Sequence, residues 1–282
     1  MKLKSLLAAA LLSCGFFAAN AQKGPHIGLI TGYNTTWVID SKLYDDPNYD
    51  SRTTWNSAPF GVVLGYKFNP SSTIQVEVFK NNMGAEYDIK GSNIFGGDTK
   101  TVGEKRIELQ YTSVPVLYKF TTGEKVRFNF HFGPQFNFLR KGSEVNQVTE
   151  RTVLRAGLSS TDLTAGDVEV YENAPATSLD LEIPNKSIVL NAGTYNRPDH
   201  ATYKNDDKAN FNKTDIGAAL GLGLEADLID NLYLSANVRF YYGFNDIRSD
   251  SWINMEKERG YYESRNNVTG GFQLGLHYRF DL

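Results

Sequence analysis

From Asp215 to Leu228 the chain alternates without a break. Ile216, Ala218, Leu220, Leu222, Leu224, Ala226 and Leu228 take the even positions, and Asp215, Gly217, Ala219, Gly221, Gly223, Glu225 and Asp227 the odd ones. A period of two means a β-strand, because successive side chains leave a strand on opposite faces. Val126–Phe138, Leu232–Phe244 and Val268–Leu282 alternate in the same way. Each run is 13 residues or longer, against about 5–6 for an ordinary soluble strand. A tilted membrane strand needs about 9–11 residues, so these runs can cross a bilayer and project beyond it. Their apolar faces carry no charge, as lipid demands, while the opposite faces hold charges and glycines that suit a narrow lumen.

The first half of the chain supplies shorter versions of the pattern. Ile27, Leu29, Thr31, Tyr33 and Trp37 make one outward face; Phe60, Val62, Leu64, Tyr66 and Phe68 a second; Ile74, Val76 and Val78 a third. The fourth changes phase, with Ile107, Leu109 and Tyr111 odd but Val114, Val116, Tyr118 and Phe120 even. This predicts a β-bulge between Thr112 and Pro115, where a proline is tolerated. Eight strands result, at about 24–37, 58–69, 72–87, 103–120, 125–140, 213–228, 231–245 and 267–282.

Tight turns at Asn69–Ser72, Thr121–Glu124 and Ile229–Asn231 alternate with long connections at about 38–57, 88–102, 141–212 and 246–266. The expected fold is therefore all-β: an eight-stranded antiparallel transmembrane β-barrel of the outer membrane, with short periplasmic turns and long extracellular loops. Within 141–212, the stretches Asp167–Tyr171, Ser178–Ile183 and Ser187–Leu190 are strand-like. They predict a hairpin above the barrel, with two more spanning strands, ten in all, as the alternative. Aromatics fall where membrane girdles belong: Phe68, Phe120, Phe128 and Phe280 at one end, Tyr33, Trp37, Phe240, Tyr242 and Phe244 at the other.

The N-terminus reads as a secretory signal peptide. Lys2 and Lys4 precede an apolar run from Ser5 to Ala19, and Ala19-Asn20-Ala21 is an A-x-A cleavage site. The expected division is a cleaved signal over 1–21 and one barrel domain over 22–282 with an insertion at 141–212. Leu11-Leu12-Ser13-Cys14 loosely resembles a lipoprotein site, and lipidation of Cys14 is the alternative. Loss of Lys2 and Lys4 takes the net charge from −3 to −5, and nothing is basic enough for nucleic acid. The mean hydropathy of −0.38 excludes a helical membrane protein but not a barrel, whose strands are only half apolar.

An ordered set of motifs resembles the PorT-type outer-membrane β-barrel family of Gram-negative bacteria. They are Gly28-Leu29-x-x-Gly32-Tyr33-Asn34, then Tyr111-Thr112-Ser113-Val114-Pro115-Val116-Leu117-Tyr118-Lys119-Phe120, then Phe132-Gly133-Pro134-Gln135-Phe136. Gly221-x-Gly223-x-Glu225 and a last strand ending Tyr278-Arg279-Phe280 complete the set. The resemblance implies a cell outer-membrane, multi-pass barrel. It also implies a part in an outer-membrane secretion or transport complex, from which the long third loop departs.

Catalytic signatures are absent from the sequence. None of His26, His131, His200 and His277 has a serine two residues on, and there is no G-x-S-x-G or H-E-x-x-H. The notable constellation is a set of inward charges: Lys67, Glu77, Glu108, Arg127, Glu225, Asp227, Arg239, Arg279, with Arg106 and Asp281, and His131 and His277 beside them. In an eight-stranded barrel side chains just fill the interior, so these are expected to pair as a structural network, with a narrow conduit as the alternative. The chain is accordingly expected to be no enzyme and to need no cofactor or metal. Its expected partners are outer-membrane lipids, the barrel assembly machinery and other envelope proteins, and the long loops are expected to present a surface for a partner or ligand. Sugar binding by Trp55 or Trp252 in the loops is a further alternative, as is a barrel enzyme acting on lipid or peptide.

Overall fold

The computed structural model describes residues 23–91, 100–148, 150–155, 168–172, 187–191, 203–258 and 262–280. Residues 1–22, where the signal peptide and Cys14 were expected, the stretch 178–183, His200 and Asp281 lie outside the described residues. Eight long strands form the barrel: β1 Gly24–Ile39, β2 Thr54–Asn69, β3 Ser72–Gly91, β4 Lys100–Gly123, β5 Val126–Val148, β6 Thr214–Ile229, β7 Leu232–Gly243 and β8 Asn266–Arg279. Each pairs antiparallel with its neighbours in sequence, and β1 pairs with β8 from His26–Arg279 to Ile39–Asn266, so the sheet closes on itself. Two-residue turns at 70–71, 124–125 and 230–231 mark one end of the barrel and the long connections mark the other.

Among the described residues the insertion adds no further spanning strand to the ring. Glu150–Arg155 pairs with Val168–Glu172 on one side and Ser187–Asn191 on the other, making a separate three-stranded sheet. The ring therefore has eight strands, not ten. At the loop end Tyr49–Arg52 pairs with β3 and Tyr203–Asn205 with β5. Asp40 caps a short helix α1 (Ser41–Asp45) by accepting from the Lys42 and Leu43 amides, and α2 spans Asp250–Glu258.

Burial alternates along the strands, and the exposed side is the apolar one. Leu29, Leu64, Leu220, Leu222, Leu224 and Leu274 are all exposed, whereas Glu77, Lys119, Asn129 and Asn137 are buried. This is the polarity of a barrel solvated by lipid. Ile216 to Leu228 spans about 40 Å at ~3.3 Å per residue, or ~30 Å of bilayer at a tilt near 40°. Rings cluster at both rims of the band, with Tyr66, Phe68 and Tyr118 at the turn end and Tyr242 against Phe244 at the loop end.

The loop end reverses this polarity. On β3 the outward residues pass from Val78 to Lys80, Asn82, Glu86 and Asp88, while Met83, Tyr87 and Ile89 turn inward. β4 keeps a single phase from Gly103 to Thr121, so Ile107, Leu109 and Tyr111 are inside and no phase change occurs at Thr112–Pro115. The expected bulge instead lies on the neighbouring strand. Gln110 pairs with Lys141 but Tyr111 with Leu139, so Arg140 of β5 is the extra residue, and beyond it Gly142, Glu144 and Asn146 take over the inner face. The physical reason is a change of solvent: above the lipid the outside is water and the inside becomes an ordinary core. Val38, Leu43, Tyr49, Tyr87, Ile107, Leu109, Phe211 and Ile247 pack together there, so strands and loops share one apolar cap.

Candidate functional site

The inward face holds three layers. At the turn end Glu225 lies between two cations, accepting from Lys119 Nζ at 2.6 Å and from Arg127 Nε at 3.4 Å. Arg127 also grips Asp227, with Nη2 2.8 Å from Oδ1, and Arg279 donates to the same carboxylate. The Tyr233 ring lies beneath Arg279 and Arg127, at 4.8 and 5.6 Å, and stacks on His277 at 4.6 Å. Lys67 lines the same end with no carboxylate in ion-pair range among the described residues.

The middle layer is one bidentate pair spanning the lumen from β7 to β3. Arg239 Nη1 and Nη2 donate to the two oxygens of Glu77 at 2.6 and 2.8 Å, and Glu77 is fully buried. Gln75 and Gln273 donate to the same carboxylate, and Arg239 Nε donates to His131 Nε2 at 3.3 Å. Because arginine can only donate, His131 Nε2 accepts and the ring's proton sits on Nδ1, 2.9 Å from Asn129 Oδ1. Glycine makes this crowding possible. A Cβ on Gly221 would stand 2.2 Å from His131 Nε2, and one on Gly28 2.3 Å from His277 Nδ1.

Above it a layer of amides and hydroxyls joins Asn34 to Asn81, and Asn137 to Ser113, Gln135 and Asp215. Asn267 donates to Asp215 at 2.9 Å. The apolar cap follows, and within it is a buried ion cluster. Lys105 meets Glu144 at 2.7 Å, while Arg265 reaches Asp40 at 2.5 Å and Glu144 at 3.2 Å. These four groups tie the first and last loops to β4 and β5.

Of the inward set read from the sequence, Glu77 and Arg239 meet mid-lumen, and Arg127, Glu225, Asp227 and Arg279 meet at the turn end. Glu108 and Arg106 are a correction. Both lie on the outer, water-facing side of β4, 3.9 Å apart, because that strand keeps one phase throughout. Lys119 belongs to the turn-end layer and was missed, although its place between outward Tyr118 and Phe120 signals an inward side chain. His26 lies 6.0 Å from His277 in the same layer. Trp252 is on α2, its indole donating to Glu256, whereas Trp55 is 70 % exposed on β2. In the last loop Tyr262 lies under Arg248 and Lys257, and burial, with Asp246 nearby, raises its phenol above the usual range.

A closed antiparallel ring of eight strands, apolar towards lipid and polar within, defines an outer-membrane β-barrel of a Gram-negative cell. The chain belongs to the outer membrane protein beta-barrel domain family, whose model matches residues 19–249. No curated protein sequence matches it. Among solved structures it is similar to Neisserial surface protein A, with 10% identity over 93% of this chain and 100% of that one at a TM-score of 0.38. It is similar also to Ail, the attachment invasion locus protein of Yersinia pestis (13%, 92% and 99%, 0.37). A third is the outer membrane protein OprG from Pseudomonas aeruginosa (7%, 93% and 98%, 0.38).

Proposed function

We propose that this barrel is a non-enzymatic, closed scaffold. Its lumen is filled by side chains, its tight turns face the periplasm, and its long loops present a binding surface outside the cell. The observation that carries the reading is the stacking of the Glu225 layer, the Glu77–Arg239 pair and the apolar cap along one lumen. A path for solute would have to break a buried ion pair and then part a packed core. Function is thereby directed to the loops, because loops on a rigid scaffold commonly carry binding. The PorT-type resemblance gives the finer form of the proposal, an accessory in an outer-membrane secretion or transport complex.

The enzymatic alternative finds little support in the lumen. Ser235 Oγ and His277 Nε2 are 2.8 Å apart, but both side chains are buried, and His277 Nδ1 has no hydrogen-bond partner among the described residues. A nucleophile–base pair needs a third group to orient the base, and this one is reached by neither lipid nor water. The contact reads as packing against Tyr233.

The test removes residues 149–202, leaving β5 and β6 joined by a short linker. The shortened chain is expected to assemble, judged by the usual shift between unboiled and boiled samples on a denaturing gel. It is expected to lose the chains that cross-link to the full-length protein in intact outer membranes. An unchanged cross-linking pattern with a folded barrel would overturn the assignment of binding to this loop.

A further inference from the structure

The lipid-facing band is not level around the barrel. Lys80 is exposed on the outer face of β3, eight residues beyond its start at Ser72. On β6 the residues seven and nine from its end at Ile229 are Leu222 and Leu220, both exposed. A cation therefore stands at the height where other strands show leucine to lipid, and an unmatched cation there is costly. The pairing brings two more beside it. Asn82, Gln110 and Lys141 form one row across β3, β4 and β5, and Lys80 pairs with Thr112 in the row below. The β5 residue paired in that lower row is Phe138, and the bulged residue Arg140 reaches down to the row through its side chain, its Nε donating to Thr112 Oγ1 at 2.8 Å. The next row down is apolar, with Val78 on β3 and Val114 paired to Phe136.

The wall beside this patch is open. The β2–β3 ladder stops at Val62–Val78, and β3 regains a partner on that side only at Glu86, which pairs with Arg52. Between them is a groove of about 620 Å³ with Trp55 on one bank and Asn82, Gln110 and Lys141 on the other. Glu86 and Glu108 lie at its upper margin, Glu108 beside Arg106.

We propose that this groove is a site for the head group of a phosphorylated glycolipid of the outer leaflet. Its phosphate would lie on Lys80, Arg140 and Lys141, its sugar on Trp55 and the two amides, and its acyl chains over Val78, Val114 and Phe136. The occupant must be both anionic and amphipathic, because the cations sit on the margin of an apolar band; a free anion would leave that margin uncovered. Clusters of Lys and Arg at a bilayer surface recognise phosphorylated head groups, and the arginine fork matches phosphate. The placement in the outer leaflet rests on the orientation proposed above.

The test is native mass spectrometry of the full-length protein in detergent with diphosphorylated lipid A or its dephosphorylated form. The wild type is expected to prefer the diphosphorylated lipid. Each cation near a bilayer surface contributes roughly fivefold, so K80Q/R140Q/K141Q should lose about 100-fold of that affinity and K141Q alone about fivefold. A control, K125Q at the turn end, should change nothing, and W55A should weaken both lipids equally. Equal binding of the two lipids by the wild type, or a preference kept in both K141Q and the triple variant, would overturn the proposal. Labelling of the Gln147→Cys variant by an impermeant thiol reagent on intact cells reports orientation separately. Failure of labelling with the lipid preference intact would reject the orientation alone.

Discussion

Replacing Arg239 with alanine is expected to destabilise the barrel by about 3–5 kcal/mol, the usual result of leaving one member of a buried pair behind. Glu77 has no access to solvent and draws two of its hydrogen bonds from Arg239. In the variant only Gln75 and Gln273 would remain to hold a full negative charge. Neutralising both partners should be far milder. Glu77→Leu with Arg239→Met removes the charge together with its counterion, and such exchanges are often neutral or stabilising. Urea unfolding midpoints in detergent micelles check both variants. Equal stability of Arg239→Ala and wild type would show that the pair is not dry, as would a double variant no better than the single.

The second large effect is expected on the opposite face. Leu222 is 50 % exposed midway between Ile216 and Leu228, near the centre of the lipid-facing band. Arginine there should cost about 2–4 kcal/mol and reduce the yield of folded barrel in lipid vesicles. Gln147 is outward and exposed as well, but it lies on β5 above the bulge, where water replaces lipid. Arginine at Gln147 should shift stability by no more than about 0.5 kcal/mol. Folding yield and urea midpoints in vesicles give the comparison. Similar penalties at the two positions would contradict the proposed boundary between lipid and water.

That boundary is also where the sequence was hardest to read. On β6, β7 and β8 the alternation of single residues was enough to assign faces, because those strands stay within the lipid for nearly their whole length. The three tight turns were legible from Pro70, Gly123 and Asp230 between alternating runs. On β4 the same alternation continues while the solvent outside changes, so Ile107, Leu109 and Tyr111 look like a slipped lipid face when they are the core of the cap. Arg140 and Lys141, two successive outward polar residues, were the local trace of the true bulge. Lys119 could have been found from Tyr118 and Phe120. The Asp40–Arg265–Glu144–Lys105 cluster could not, because it joins two loops to a strand whose phase has been flipped by that bulge.

The closed state of the lumen is open to direct measurement. Planar-bilayer recordings of the purified barrel should show no stable channel events. Arg239→Ala combined with Glu77→Ala, which empties the middle layer, should still conduct poorly because the Glu225 layer and the apolar cap remain. Stable, stepwise conductance from the wild-type protein would contradict the account, since a continuous water path cannot coexist with a filled lumen and would make the charged residues the lining of a pore.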